Sequence, residues 1–129
     1  MAIRRIHSGG EYEDKIGYCR AVVAGDWVHV AGTCGTGDTV VDQCRDALRI
    51  IAKALGQADA SFADVVRVTY MLPDRDTFEP CWPILRATFG DNPPAATMIE
   101  CNLITPQDLI EIEVTAYLPQ PRDTAGPSA

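Results

Sequence analysis

The sequence predicts an α+β fold in which two helices pack on one face of a mixed β-sheet. Three observations carry this. Val41, Cys44, Ala47, Leu48, Ile51 and Leu55 follow the three-and-four spacing of one buried helical face. Ile110, Ile112 and Val114 alternate with Glu111, Glu113 and Thr115, the period of a half-buried strand. The order along the chain is strands, helix, strand, helix and two strands, which one sheet and one helical layer accommodate. A single layer of helices covers one face of the sheet, so the other face is either polar or meets another subunit.

Taken in order, residues 19–31 read as two short apolar strands about Gly25-Asp26, a glycine-first pair suited to a two-residue type II′ turn. The three glycines and two threonines of residues 32–38 predict a loop, and Asp38 or Thr39 is placed to cap the helix that follows. Gly56 sits where a left-handed residue ends such a helix. Val65–Leu72 is rich in β-branched residues and reads as a strand that stops at Pro73. A second helix is expected along the stripe Phe78, Trp82, Leu85 and Phe89 up to Gly90, with Asp76 and Glu79 at capping-box spacing. Pro80 suits a first turn, but Pro83 removes a backbone hydrogen bond from a helix interior, so either a late start near Pro80 or a kink is expected. Residues 96–103 and 109–118 read as two strands that pair with each other across the connection 104–108. Residues 119–129 are proline-rich and polar with no apolar period, and are read as a mobile tail on a single domain spanning residues 1–118.

One domain suits a chain of 129 residues. A formal net charge of −7 argues against nucleic acid as a partner, because neutralising phosphates takes clustered Lys and Arg. Five cysteines, an odd number with no C-x-x-C pair, argue against a disulfide framework and for a reducing compartment. His7 and His29 are the only imidazoles and neither sits in a ligand-like pair, so no metal is expected. No apolar run is long enough to span a bilayer, and the arginines after Met1 precede no export-type apolar stretch, so a cytoplasmic protein without a membrane partner is expected. The glycine-rich residues 32–37 lack the lysine and the spacing of a phosphate-binding loop.

Four segments then stand out: Ile-Gly-Tyr-Cys-Arg-Ala-Val at 16–22, Val-Ala-Gly at 30–32, Pro-Pro-Ala-Ala at 93–96 and Ile-Glu-Ile-Glu at 110–113. As a set, in this order and on these elements, the chain resembles the reactive intermediate deaminase (Rid, YjgF) family over nearly all of its length before the tail. The resemblance implies a chorismate-mutase-like fold, a homotrimer whose sheets face inward, and clefts between subunits for a small-molecule metabolite. It also implies hydrolysis of enamines and imines, the products of amino-acid dehydratases, to keto acids and ammonia without a metal or organic cofactor. In such deaminases an arginine follows the Pro-Ala pair that opens the penultimate strand and holds the substrate carboxylate. The register of Pro94-Ala95 puts Ala96 there, and alanine cannot imitate a bidentate guanidinium. The ordinary 2-imino acid reaction is thereby left without its anchor.

Tyr18 and Glu111 match family cleft positions, Glu111 being the glutamate that positions a water. Ala31 stands where a small serine is common and Trp82 where a polar residue aligns, which makes the cleft more apolar; Gly32 and Met98 complete the expected lining. Glu111 reads either as a water-orienting base or as a solvated strand carboxylate, and Glu113 on the same face reads as structural. Arg20 replaces a common glutamine. It reads first as an ion-pair partner of Glu111 or Glu113, and second as a cleft cation that would restore acidic ligands. Cys34 and Cys101 have no partnering histidine and read as packing residues, with Cys34 the more exposed and modifiable. Tyr18 and Trp82 either stack on a ligand or pack in the core or an interface. Two functions stay open: hydrolysis of a non-standard enamine or imine, and a non-catalytic small-ligand-binding or protein-interaction module. The ribonuclease label attached to some members of the family sits badly with the acidic charge.

Overall fold

The computed structural model describes residues 3–121. Their strands are β1 (Ile3–Ile6), β2 (Ala21–Ala24), β3 (Trp27–Cys34), β4 (Val65–Leu72), β5 (Ala95–Glu100) and β6 (Glu111–Tyr117), with helices α1 (Val40–Gln57) and α2 (Trp82–Phe89). Among the described residues the six strands form one sheet in the order β1-β2-β3-β6-β4-β5. This is the mixed sheet with two main helices that the sequence predicts.

The core follows from the two periodicities. Ile112, Val114 and Ala116 of β6, with Val28, Val30, Val68 and Leu72 from its neighbours, turn inward and are buried. Cys44, Ala47, Leu48, Ile51 and Leu55 of α1 close over them, and Leu85 and Phe89 of α2 join the same core. Phe89 meets Phe62 edge-on at 5.3 Å, a geometry that suits the ring quadrupoles. At the head of α1, Thr39 is extended and its hydroxyl accepts from the Asp42 amide at 3.1 Å, so the cap falls on the second of the two expected residues. Gly25 carries φ +59 between β2 and β3, as a glycine-first type II′ turn requires.

Several expectations are corrected. β5 and β6 do not pair: β5 lies parallel to β4 at the sheet edge, and β6 inserts between β3 and β4, antiparallel to both. The reason is the crossover. Helix α2 carries the chain back over the sheet, so the strand after it runs parallel to the strand before it. β6, apolar on one face and flanked on both edges, takes the interior slot. Residues 101–110, twice the expected connection, cover the return. The loop expected from residue 32 begins later, because β3 runs on to Cys34 through a bulge. Gly56 does not end α1; the helix continues to Gln57 and the left-handed residue is Asp59 at φ 63, a residue type that tolerates this conformation. The second helix starts late, at Trp82, after two short 3₁₀ turns, with Pro83 in its first turn where no hydrogen bond is lost. Asp76 and Glu79 form no capping box; Asp74 caps the 3₁₀ turn Arg75–Thr77, accepting from the Asp76 amide, and α2 itself begins without a side-chain cap. Strand β1 and the π-helical turn Glu13–Gly17 carry no signal that periodicity detects.

The tail expected over residues 119–129 lies outside the described residues from 122 on. Of its first residues, Gln120 is tied down: its amide donates to Asp26 Oδ1 at 2.9 Å. No helix among the described residues is long and apolar enough to cross a membrane.

Replacing Thr39 by Ala removes the cap of the longest helix and is expected to cost about 1 kcal/mol. A urea titration of both proteins checks this; an unchanged midpoint would show that the Asp42 amide finds another acceptor.

Candidate functional site

Two hollows open beside β3 and β6, and Ile50 of α1 helps to line the smaller one. The larger, about 670 Å³, lies over the strand face and is lined by Arg5, His7, His29, Arg67, Thr69 and Glu113 among others. The smaller, about 580 Å³, lies where β3 and β6 meet the segments 8–20 and 104–108. The two adjoin at Glu13, Tyr18 and Ala31. The smaller gathers Tyr18, Arg20, Ala31, Gly32 and Glu111, five of the positions singled out from the sequence.

A bulge builds this site. Between the pairs Val30–Val114 and Thr33–Ile112, β3 spends one residue more than β6, so Ala31 and Gly32 together oppose Glu113. Bulges bend a strand and re-aim its side chains, here beside Glu111. Gly32 makes the room. A Cβ added there would overlap the Glu111 carboxylate at Oε2, so the absent side chain is what lets the carboxylate lie flat along β3. The other oxygen, Oε1, accepts from the Cys34 thiol at 3.5 Å. Burial, then the negative charges of Glu111 and Asp108, hold that thiol well above the usual cysteine range. Cys34 therefore keeps its proton and serves Glu111 as a donor, which corrects its reading as the readily modified cysteine.

Arg20 sits across the cleft floor. Its amide donates to Ile6 and its carbonyl accepts from Ala31, which pins its backbone between β1 and β3. The guanidinium is buried; Nη1 donates to Thr33 Oγ1 at 3.2 Å, and the guanidinium carbon lies 5.4 Å from the centre of the Tyr18 ring. The ion pair expected with Glu111 or Glu113 is absent: no carboxylate of the described residues comes within 4.0 Å of it. The cause is geometric. Glu111 leans toward Gly32 and Cys34, Glu113 faces the larger hollow, and Glu13 is already committed.

Glu13 is a site residue that periodicity does not find. It is buried, and its carboxylate accepts from the Ser8 amide, the Ser8 hydroxyl and the Gly10 amide. Burial pushes its carboxyl up, but those hydrogen bonds and the Arg20 charge outweigh it and hold the group below the usual carboxylate range. The one hint in the sequence is Gly9-Gly10 just ahead of an acidic residue. Gln43 is the second residue missed: buried on α1, it donates to Gly37 and Gln107 and accepts from Leu109, which fastens the 104–108 wall to the helix.

Trp82, Ala96 and Met98 line neither hollow of the single chain. Trp82 stands exposed at the start of α2 with Phe78 edge-on to it. Ala96 and Met98 lie on β5, paired with Val68 and Tyr70, and both are exposed. Among the described residues no group of three or more His, Cys, Asp or Glu is arranged to hold a metal ion.

Because Glu111 disfavours the Cys34 thiolate, the variant Glu111→Gln is expected to alkylate at Cys34 several-fold faster than the parent at mildly alkaline pH. Mass-resolved labelling with iodoacetamide reads this; rapid labelling of Cys34 in the parent would contradict the contact.

The Endoribonuclease L-PSP family model matches residues 12–118. A RutC family protein of Pyrococcus horikoshii is 33% identical, the match covering 78% of this chain and 86% of that protein. The human 2-iminobutanoate/2-iminopropanoate deaminase is 27% identical over 88% of this chain and 90% of its own. Among solved structures, Rv2704 of Mycobacterium tuberculosis, described as a member of the YjgF/YER057c/UK114 family, superposes with a TM-score of 0.88 at 43% identity, covering 91% of this chain and all of that one. The chain belongs to the Endoribonuclease L-PSP family, the group that includes the YjgF proteins and the reactive intermediate deaminases.

Proposed function

We propose that this protein is a cytoplasmic, cofactor-independent hydrolase of an enamine or imine, working as a homotrimer in which neighbouring subunits complete the cleft around Glu111. The observation that carries the reading is Glu111 itself: a half-buried carboxylate at the wall of a 580 Å³ cleft, steadied on one oxygen by a protonated thiol and given room on the other by Gly32.

The chemistry asks little beyond that. A water adds to the C=N carbon while Glu111 takes one of its protons and passes it to nitrogen, giving a carbinolamine; Glu111 then takes the hydroxyl proton and passes it to the amine as the C–N bond breaks, leaving a carbonyl product and ammonia. Cys34 holds the carboxylate in one orientation. Tyr18, exposed at the cleft mouth, supplies an aromatic wall. The ordinary 2-imino acid lacks its anchor at Ala96, which favours a substrate bound through other contacts. The deaminase activity named for the human relative supports the reaction class.

Assembly is supported by what the single chain leaves bare. β5 is an edge strand with five of its six residues exposed, and Trp82, Ala96 and Met98 have no cleft of their own. A neighbouring copy laid on that edge brings them to a cleft. The net charge of −7 weighs against RNA as the substrate.

Ammonia release from a panel of imines made in place, some carrying a carboxylate and some not, tests the reading. At least one is expected to be hydrolysed faster than in buffer, and Glu111→Gln is expected to slow it by about 100-fold or more. A panel in which no member responds to the parent protein would overturn the reading in favour of a non-catalytic binding module.

A further inference from the structure

Arg20 is a charged side chain whose hydrogen-bonding edge has been left without a partner. It is 8% exposed, and its Nε and Nη2 are shut off from solvent with no acceptor within reach, while Nη1 alone is satisfied by Thr33. Nε and Nη2 are the two nitrogens whose N–H bonds run parallel along one side of the guanidinium. That side is the fork that grips a carboxylate through two bonds. A buried cation with its fork empty is costly to keep, and the usual remedies are closed. The Glu13 oxygens are taken by Ser8 and Gly10, and the Glu111 oxygens lie against Cys34 and Gly32. Yet Arg20 lines the same cleft as Glu111.

We infer that the fork of Arg20 is the carboxylate receptor of this cleft, doing from β-sheet floor level what Ala96 cannot do. This rests on the cleft around Glu111 being the ligand site, and adds the class of ligand. Glu11, Glu13, Asp108 and Glu111 also line the cleft, so a single cation faces four carboxylates. A bare anion meets repulsion everywhere except at Arg20. The matching ligand carries both signs: a carboxylate for Arg20 and a protonated nitrogen, amine or iminium, for the acidic wall. Tyr18, exposed at the mouth with its ring 5.4 Å from the guanidinium carbon, is the side chain that turns aside to admit it. The receptor is a positioning and specificity element; Arg20 exchanges no proton.

Binding without turnover separates this from the hydrolase reading. Calorimetric titration uses 2-aminobutanoate, a stable zwitterion, and 2-aminobutanamide, which keeps the ammonium and lacks the carboxylate. The parent protein is expected to bind the zwitterion on the order of ten- to a hundredfold more tightly than the amide. Arg20→Lys, which keeps the charge and loses the fork, is expected to erase most of that preference. Equal binding of the two probes by the parent, or no binding of either, would overturn the receptor whether or not the variant folds; so would an Arg20→Lys protein that folds and keeps the full preference. Zwitterion binding in a protein that hydrolyses no imine would sustain the receptor and remove the hydrolase. Hydrolysis of an uncharged imine with no preference for the carboxylate probe would do the reverse.

Discussion

Everything in this fold hangs on the alternation along β6. Ile112, Val114 and Ala116 must face the helices, because that layer is the one apolar environment offered to them, and Glu111, Glu113 and Thr115 then face the other way. A slip of one residue would drive two carboxylates into the core, so the register is held far more firmly than backbone hydrogen bonds alone would hold it. With the register fixed against β3, Glu111 is opposite Cys34, and the bulge at Ala31-Gly32 falls beside it. The candidate site is thus a by-product of core packing: the carboxylate is placed by the burial of its neighbours, and the missing side chain at Gly32 gives it somewhere to lie.

How far the sequence could be read depended on the range of the interaction. Helix α1, the Gly25 turn and the two faces of β6 are local periodicities, and they are legible in a window of a few residues. The partner of β5 is not. Residues 95–100 and 111–117 look like neighbours because they are close in sequence, but chain direction after the α2 crossover decided that β5 joins β4. The left-handed residue after α1 is Asp59 and not Gly56, because the helix runs on to Gln57 and a short polar side chain tolerates that conformation.

At the site the same division holds. Tyr18, Gly32 and Glu111 were visible as family positions, and the structure gathers them in one cleft. That Arg20 would stand unpaired was not visible, since it depends on where Ser8, Gly10, Cys34 and Gly32 engage the nearby carboxylates. Glu13 and Gln43 were missed because their value lies in capturing backbone amides and carbonyls, those of the adjoining turn for Glu13 and of a segment far along the chain for Gln43, which leaves no periodic trace. What emerges is a cleft with the Glu111 carboxylate on its wall and the buried Arg20 among its lining residues, while Ala96 lies outside it on β5.

The single chain leaves an edge and a face of its sheet uncovered. Trp82, Ala96 and Met98 stay outside the cleft, β5 offers an uncovered edge, and the strand face carries Arg5, Arg67 and Glu113 toward an open hollow. Uncovered edges and faces are what a symmetric assembly resolves. Light scattering coupled to size-exclusion chromatography measures this directly at low micromolar concentration. The account predicts a mass three times that of the 14.0 kDa chain; a particle with the mass of a single chain would contradict it.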